Sequence, residues 1–255
     1  MMHEDVVVII PARIGSTRLP NKPLELIGDK TMIEHIATRV KDLGLQVYVA
    51  TDSAKIATLL TKHNLDVVMT DESCPSGTDR VHQALQKLPQ LEQINYVINV
   101  QGDMPFVDTT AILQVIELLK NSDFEITTPV AKVNESIAKE HSNVKVIIDN
   151  NNKALYFSRN LIPYGAKEFL YHIGIYGFRK NTLNKFVALP QTNYEKNENL
   201  EQLRALENGM KIGVCHCSEI PISVDTITDL EKAQNQWQTT GQFKSHNQRL
   251  QITLE

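Results

Sequence analysis

The chain has 255 residues, of which 42% are hydrophobic and 22% charged, and its formal net charge is −4 at pH 7. This length suits one sizeable α/β domain or a domain with a smaller lobe, and the negative charge argues against a general nucleic-acid-binding protein. No apolar run approaches the ~20 residues of a membrane span, and the opening MMHEDVVVII lacks the features of a signal peptide. We therefore expect a cytoplasmic protein that binds neither nucleic acid nor membrane.

The chain begins with a predicted strand followed by a basic loop. The apolar, β-branched run from Val6 to Ile10 predicts a strand buried on both faces of a parallel sheet, and Pro11 is expected to end it. The loop that follows mixes cations with small residues: Ala12, Arg13, Gly15, Ser16, Thr17, Arg18 and Lys22. Three cations on one short loop repel each other unless an anion lies among them, and arginine and lysine both bind phosphate oxygens. The loop has neither the P-loop pattern nor the dinucleotide fingerprint, so its spacing leaves a polyphosphate site and a solvated basic loop equally open.

Predicted strands and helices then alternate over roughly the first half of the chain. Helices are expected at 31–43, 53–63, 81–88 and 109–121, strands at 46–52, 66–70 and 95–105, and a turn at 74–80. This alternation predicts an α/β fold with a doubly wound, mainly parallel sheet and right-handed crossovers. Ligands of such sheets lie outside the carboxyl ends of the strands, so the polar residues at those ends form the candidate site.

Four consecutive strands of this sheet carry polar residues to the same edge. These residues are Arg13, Arg18 and Lys22, then Thr51 and Asp52, then Ser76 to Arg80, and finally Gln101 and Asp103. Each group alone is typical of a polar turn, but their joint placement favours a binding site. A carboxylate beside a phosphate-binding loop needs a cation, and Mg²⁺ prefers one or two carboxylates together with phosphate oxygens and water. Asp225 is the candidate second carboxylate, although its position just before a predicted helix favours an N-cap role.

After residue 124 the predicted strands follow one another with few helices between them. Strands are expected at 125–133, in a hairpin over 143–159, at 172–178 and at 211–217, and helices at 197–208 and after Asp225. We predict a smaller antiparallel lobe that packs over the edge of the sheet. The expected organisation is one domain over 1–238, made of a strand-and-helix half at 1–123, a smaller lobe at 124–222 and a closing segment at 223–238. Residues 239–255 are predicted to be a loosely held polar tail.

The three cysteines argue against a disulfide framework, since their number is odd and the chain is long. The run Cys215-His216-Cys217 is suggestive of a metal site. Alternation along a predicted strand, however, places the two thiols on one face and the imidazole on the other. A zinc site needs about four converging ligands, so we do not expect a metal there.

The combination of these segments is strongly similar to the 3-deoxy-manno-octulosonate cytidylyltransferase (CMP-Kdo synthetase) family. The matching stretches include IIPARIGSTRLPNKPL, SGTDR, NVQGDMP, VKVIIDNNNKALYFSRNLIPY, LEQLRALENG and VDTITDLEKA, and the likeness extends to about residue 237. The resemblance implies a nucleotidyltransferase that converts CTP and Kdo into CMP-Kdo and diphosphate with Mg²⁺. It also implies a homodimer, a role in lipopolysaccharide synthesis and the cytoplasm of a Gram-negative bacterium.

The resemblance further implies that 1–123 is the nucleotide-binding half and that 124–222 is a sugar-binding and dimerisation lobe. It also implies roles for individual residues. Arg18, Lys22, Asp103 and Asp225 would be catalytic, and the two aspartates would bind the metal. The nucleotide would be bound by Pro11, Ala12, Arg13, Ser16, Thr51, Asp52, Ser76, Gly77, Thr78, Arg80 and Gln101. Kdo would be bound by Arg159, His172, Tyr176, Glu201 and Gln202.

Two positions depart from the family pattern. Met104 stands where the family usually has an acidic residue, and Asp79 replaces a common glutamate while keeping its charge. The absence of an acidic side chain at position 104 puts the tuning of the metal site in question.

Two alternative functions stay open. One is a cytidylyltransferase for a related acid sugar, such as 8-amino-Kdo, and the other is a catalytically silent nucleotide-binding protein of the same fold. For His172 taken alone, a hydrogen bond inside the lobe is favoured over a ligand contact.

Overall fold

The computed structural model describes residues 3–15 and 18–252, and it describes side chains only as far as residue 239. The strands are β1 Val6–Ala12, β2 Leu26–Ile27, β3 Lys30–Thr31, β4 Gln46–Thr51, β5 Asp66–Met69, β6 Tyr96–Val100, β7 Ile126–Asn134, β8 Lys145–Ile148, β9 Ala154–Ser158, β10 Glu168–His172, β11 Ile175–Arg179 and β12 Ile212–Cys217. The helices are α1 Met32–Lys41, α2 Ala54–Lys62, α3 Gly77–Gln86, α4 Thr109–Asn121, α5 Glu135–Ala138, α6 Lys180–Ala188, α7 Asn193–Glu198, α8 Gln202–Glu207 and α9 Ile227–Ile252.

The described residues form one large mixed sheet and a small two-stranded one. In the large sheet β5, β4, β1 and β6 run parallel to one another. From β6 the order continues through β11, β7, β10, β8 and β9 in antiparallel pairs, and β12 lies parallel to β7. The predicted fold class is thus confirmed. The antiparallel strands, however, extend the same sheet instead of packing over its edge as a separate layer.

Strand β1 lies at the centre of the parallel half and is buried on both faces, as its composition predicts. Val6, Val8 and Ile10 point into the hydrophobic core on one side of the sheet, and Val7 and Ile9 point into the core on the other. Each such aliphatic side chain contributes about 1.5–3 kcal/mol when it leaves water. Burial on both faces therefore makes β1 the anchor of the loop that follows it.

The prediction that Pro11 ends this strand is wrong, because β1 continues to Ala12 in parallel register with β4. Strand β6 accompanies β1 only as far as Ile9. Beyond Ile9 one side of β1 has no partner strand, so the missing N–H of proline breaks no ladder there. The extra residues carry the basic loop further past the sheet edge.

Two segments predicted as single elements are interrupted. Residues 172–178, expected as one strand, divide into β10 and β11 at Ile173 and Gly174, so that β10 pairs with β7 and β8 while β11 fits between β6 and β7. The helix expected at 197–208 divides at Asn199, which adopts a left-handed conformation with φ of 53° and ends α7. Glu201 consequently lies at the start of α8 and faces α3.

Two helix ends also differ from expectation. The turn predicted at 74–80 is the beginning of α3: Ser76 is its N-cap, and its Oγ accepts a hydrogen bond from the Asp79 N–H at 3.1 Å. At the other end of the chain the backbone is helical to Ile252 within α9, where a loosely held tail was predicted. Among the described helices none has the length and apolar character that crossing a membrane requires.

Candidate active site

The carboxyl ends of the parallel strands surround a cavity of about 300 Å³. Most of the residues predicted for the catalytic and nucleotide-binding roles line it: Pro11, Ala12, Arg13, Arg18, Lys22, Ser76, Gly77, Arg80, Gln101, Asp103 and Asp225. Ser16, also predicted there, lies outside the described residues. The structure therefore brings together, in one place, residues from the end of β1 and the loop after it, from the start of α3, from the loop after β6 and from the segment before α9.

Backbone packing explains how the loops after β1 and β6 come so close. A Cβ atom on Gly102 would lie 2.7 Å from the carbonyl oxygen of Pro11, which is closer than side chains tolerate. Glycine is therefore required for the loop carrying Asp103 to approach the end of β1. A backbone hydrogen bond of 2.8 Å from Val224 N to the Asp103 carbonyl then ties the segment before Asp225 to the same loop. The two carboxylates are positioned by this shared contact.

Lys22 lies between the two carboxylates. Its Nζ is 2.9 Å from Asp225 Oδ1 and 3.5 Å from Asp103 Oδ2, and Arg18 approaches Asp225 Oδ2 at 3.3 Å. Burial raises the pKa of Asp103, the charge of Asp225 adds to this effect, and Lys22 opposes it. The side chain of Lys22 is only 16% exposed, whereas that of Arg18 is 65% exposed. The site thus concentrates two negative and two positive groups at the cavity wall.

The donor set at Asp103 and Asp225 fits a hard divalent cation that also receives oxygens from a bound phosphate. Within the described residues no group of three or more His, Cys, Asp or Glu could hold a metal ion. The pair would therefore supply two ligands without a closed protein cage. In the Cys215-His216-Cys217 run both thiols pack against the hydrophobic core, whereas His216 points away to Asn152, so the predicted alternation of faces is observed.

Arg80 lines the cavity and is held from behind by Asp52. Arg80 is 2% exposed, and its guanidinium lies 2.7 Å from Asp52 Oδ2 and 2.5 Å from Thr70 Oγ1. Thr51 is fully buried and accepts a hydrogen bond from Ser53 N at 3.1 Å. Asp52, Thr51 and Thr78 do not line the cavity, so among the predicted nucleotide-binding residues these three act behind the surface.

We expect Asp52→Ala to destabilise the fold by about 3 kcal/mol, because it leaves the nearly buried Arg80 charge without its carboxylate. Chemical denaturation followed by circular dichroism measures the free energy of unfolding. Glu117→Ala, on the exposed face of α4, is the matched control and should change that free energy little. Equal stability of the two variants would contradict a structural role for the Asp52–Arg80 pair.

The predicted sugar-binding residues do not converge on the same cavity. Tyr176, Glu201 and Gln202 line a separate void of about 10 Å³ together with Thr78. His172 lies in the interior with its Nε2 3.0 Å from Thr128 Oγ1, and burial lowers its pKa to about 3. The imidazole is therefore neutral, in agreement with the reading favoured by the residue alone. Its ring lies 5.3 Å from that of Tyr176, next to this void.

Arg159, like His172, lines neither the cavity at the strand ends nor the small void. Its Nε donates to the Glu198 carbonyl at 2.8 Å, and its two terminal nitrogens donate to the carbonyls of His141 and Asn199 at 3.1 and 3.2 Å. These bonds use three of the five guanidinium N–H groups. Their observed effect is to hold the junction between α7 and α8.

Met104 also differs from expectation. Its side chain is 3% exposed and packs in the hydrophobic core beside Val107. Position 104 therefore faces the core and not the cavity wall. The methionine side chain itself makes no contribution to the cavity wall beside Asp103.

A second cavity of about 380 Å³ adjoins the first and shares Arg18 and Asp225 with it. Residues that sequence reasoning missed line it: Ser142, Asn143, Tyr171, Ser223, Thr226 and Lys232. Burial raises the pKa of Tyr171, and the charges of Asp103 and Asp225 raise it further. These residues belong to polar loops, to strand β10 and to helix α9, so only the three-dimensional arrangement reveals them.

Comparison with known proteins places this geometry among sugar-activating enzymes. Residues 7–212 match the family model described as cytidylyltransferase. A protein of Rickettsia africae (strain ESF-5) named 3-deoxy-manno-octulosonate cytidylyltransferase is 56% identical over 234 residues, which are 91% of this chain and 95% of the relative. A protein of the same name from Rickettsia bellii (strain OSU 85-389) is 55% identical over 91% of this chain and 96% of its own length.

Two solved structures share the architecture. CMP:2-keto-3-deoxy-manno-octonic acid synthetase complexed with CTP superposes with a TM-score of 0.87 at 33% identity, covering 92% of this chain and 99% of that one. A putative glucose-1-phosphate thymidylyltransferase from Bacillus anthracis has a TM-score of 0.67 at 15% identity, covering 90% and 94%, and shows likeness of fold alone.

Proposed function

Because the chain belongs to the cytidylyltransferase family, among the 3-deoxy-manno-octulosonate cytidylyltransferases, we propose that it transfers the CMP group of CTP to Kdo and releases diphosphate. The observation that carries this proposal is the cavity at the strand ends, where cations and two carboxylates meet. The product is an activated sugar for lipopolysaccharide synthesis. The proposed compartment is the cytoplasm, where cells keep the CTP that the reaction consumes.

We place the triphosphate of CTP in the first cavity. Arg13, Arg18, Lys22 and Arg80 line it and supply positive charge, which suits phosphate oxygens. The N-terminus of α3 at Gly77 also faces the cavity, and its free N–H groups favour an anion. Gln101 offers an amide for polar groups of the nucleotide.

A divalent cation, proposed to be Mg²⁺, would be held by Asp103 and Asp225 together with substrate oxygens. When bound, it would neutralise phosphate charge and lower the pKa of the attacking sugar hydroxyl. The remaining work falls to the chain itself. Phosphoryl transfer requires little covalent chemistry from side chains, so Lys22 and Arg18 act by neutralising the leaving diphosphate and by orienting it.

The sugar is proposed to approach from the side of Tyr176, Glu201 and Gln202. A polar chain supports this placement: Gln101 Nε2 donates to Asn99 Oδ1 at 3.2 Å, Asn99 Nδ2 donates to Thr78 Oγ1 at 3.3 Å, and Thr78 donates to Glu201 at 2.7 Å. His172 would contribute as a neutral group beside Tyr176. Arg159 would use its two remaining N–H groups for the sugar carboxylate while holding the junction before Glu201.

Substrate identity is tested by diphosphate release from CTP and Mg²⁺ with Kdo, 8-amino-Kdo and a sialic acid side by side. We expect the highest kcat/KM with Kdo and poor use of the bulkier sialic acid, since buried polar groups reject sugars that leave them unpaired. A preference for the amino sugar of about tenfold or more, or about 1.4 kcal/mol, would change the substrate and keep the reaction class. CTP binding without turnover on any sugar would favour the silent nucleotide-binding protein.

We also propose a homodimer formed through the antiparallel part of the sheet. Strand β9 is the last strand in the order of the large sheet, and it exposes 52% of Leu155. The loop after β9 exposes 37% of Leu161 and all of Tyr164. Apolar side chains at a sheet edge favour association between copies of a chain, and about 800 Å² per partner is ordinary for a stable contact.

Leu155→Glu should convert the dimer to a monomer at micromolar concentration, because it places a charge within the proposed contact. Light scattering or sedimentation equilibrium measures the mass. Leu113→Glu, at an exposed leucine on α4, should leave the dimer intact. A monomer mass for the unmodified protein would reject the assembly.

A further inference from the structure

We infer that Glu201 is a positioning residue for the nucleotide: in its protonated form it holds Ser76 and Thr78, and so fixes the first turn of α3 before any sugar binds. The inference rests on the proposed function only in taking CTP as the nucleotide. It gives Glu201 a task separate from the sugar contact that the family resemblance implies. Four side chains meet at this point: Ser76, Thr78, Asp79 and Glu201. They make three oxygen–oxygen contacts of hydrogen-bond length with only two hydroxyl hydrogens.

Ser76 Oγ makes three short polar contacts. It lies 2.7 Å from Asp79 Oδ2 and 2.8 Å from Glu201 Oε1, and it accepts the Asp79 N–H at 3.1 Å. A serine hydroxyl has a single hydrogen, so it can donate fully to only one of the two carboxyl groups. The contact of Ser76 with the other carboxyl group also has the length of an O–H···O hydrogen bond. It therefore needs a second proton, which that carboxyl group must carry.

Glu201 is the better carrier of that proton. Asp79 lies in the first turn of α3, where the helix dipole favours a carboxylate. Glu201 is partly buried, and this burial raises its pKa despite the hydrogen bonds from Thr78 and Ser76. The resulting arrangement satisfies every group: Thr78 O–H donates to Glu201 Oε2, Glu201 O–H donates to Ser76, and Ser76 O–H donates to Asp79.

The charged groups that face Glu201 from neighbouring elements do not keep it ionised, because the positive one among them is paired with another carboxylate. From α8, Arg204 approaches it at 3.8 Å, but the same guanidinium lies 2.5 Å from Glu195 Oε1 of α7. From α3 the charged neighbour is Asp79, which favours a neutral Glu201. From β11, Tyr176 shares the small void, and burial raises its pKa, so it is neutral.

The hydrogen bonds connect Glu201 to the wall of the nucleotide cavity in two places. Ser76 itself lines the cavity, and Thr78 leads through Asn99 to Gln101, which also lines it. A change at Glu201 is therefore transmitted to both the α3 turn and the β6 end. It follows that Glu201 controls CTP affinity in the absence of sugar.

The test is to titrate the protein with CTP in a calorimeter, in the presence of Mg²⁺ and without sugar, at several pH values from about 5.5 to about 8.5. Glu201→Ala should weaken CTP binding about tenfold or more. Glu201→Gln should retain the low-pH affinity of the unmodified protein, because its amide offers an acceptor to Thr78 and a donor to Ser76. As pH rises through the raised pKa of Glu201, the unmodified protein should lose affinity relative to Glu201→Gln, since ionisation removes the donor to Ser76.

Thr78→Val provides a second variant should Glu201→Ala fail to fold. It removes only the hydroxyl that donates to Glu201 Oε2. The double variant with Glu201→Ala should lose less CTP-binding free energy than the two single variants lose together. Glu201→Gln binding CTP as weakly as Glu201→Ala, or parallel pH profiles of Glu201→Gln and the unmodified protein, would overturn the inference. So would full CTP affinity in Thr78→Val. A protein that binds CTP in this pattern but does not use Kdo would refute the proposed function and leave this inference standing.

Discussion

Asp103→Asn and Asp225→Asn should each lower kcat by about a hundredfold or more. The two carboxylates converge on one cation, Lys22 Nζ, from loops joined by the Val224–Asp103 backbone hydrogen bond. An amide keeps the size and one acceptor oxygen of each side chain but removes the charge that a divalent cation requires. The reaction should also need a higher Mg²⁺ concentration for half-maximal turnover in both variants.

The measurement is steady-state diphosphate release as a function of Mg²⁺, with thermal unfolding as a check of the fold. Asp123→Asn is the matched control, because Asp123 is exposed and pairs with Lys211 outside both cavities. It should leave kcat and the Mg²⁺ dependence unchanged. The N-cap role expected for Asp225 from its position is wrong, because Thr226 caps α9 and its Oγ1 accepts the Asp229 N–H at 3.3 Å. A purely structural role for Asp225 would therefore be its ion pairs with Lys22 and Arg18. If Asp225→Asn lowered the melting temperature and kept full turnover, the site would contain one carboxylate instead of two.

The location of this site could be predicted from the sequence because two strong regularities determine it. Apolar runs such as Val6–Ile10 mark buried parallel strands, and the carboxyl ends of such strands meet at one edge. Lys22 and Asp103 lie 3.5 Å apart for that reason. Asp225 precedes α9 and follows no parallel strand, so its place beside Lys22 was expected only from the family resemblance. Side chains carried by rigid strand ends are thus predictable as a group, even though no single loop among them is decisive.

The surroundings of the proposed sugar-binding residues were less predictable. They depend on breaks between helices that the spacing of apolar residues does not reveal. Asn199 adopts a left-handed backbone conformation and ends α7, and Glu201 consequently lies close to Ser76 and Thr78. The donors of Arg159 are partly used by backbone carbonyls at the same junction. A family motif identifies which residue types are present, but the hydrogen-bond partners depend on such local backbone conformations. The roles of Arg159 and Glu201 therefore had to be argued again from the structure.

Lys22→Ala should have a larger effect on the use of CTP than Arg18→Ala. Lys22 is 16% exposed and contacts both carboxylates, whereas Arg18 is 65% exposed and contacts one. A charge near the interior is screened less by solvent and salt than an exposed one. We expect kcat/KM for CTP to fall by about a hundredfold in Lys22→Ala and by about tenfold in Arg18→Ala.

Salt provides an independent check on this order, because the charge of an exposed guanidinium is screened by ions more strongly than that of a buried group. Raising the ionic strength should weaken CTP binding less in Arg18→Ala than in the unmodified protein, since the screened contribution is already missing. Lys55→Ala, an exposed lysine on α2 outside the cavities, is the matched control for loss of one positive charge. Calorimetric titration of CTP at low and high salt, together with steady-state rates, distinguishes the three variants. Unchanged CTP affinity and unchanged turnover in both Lys22→Ala and Arg18→Ala would remove the basic loop from the mechanism, while a larger effect at Arg18 would contradict the order expected from their exposure.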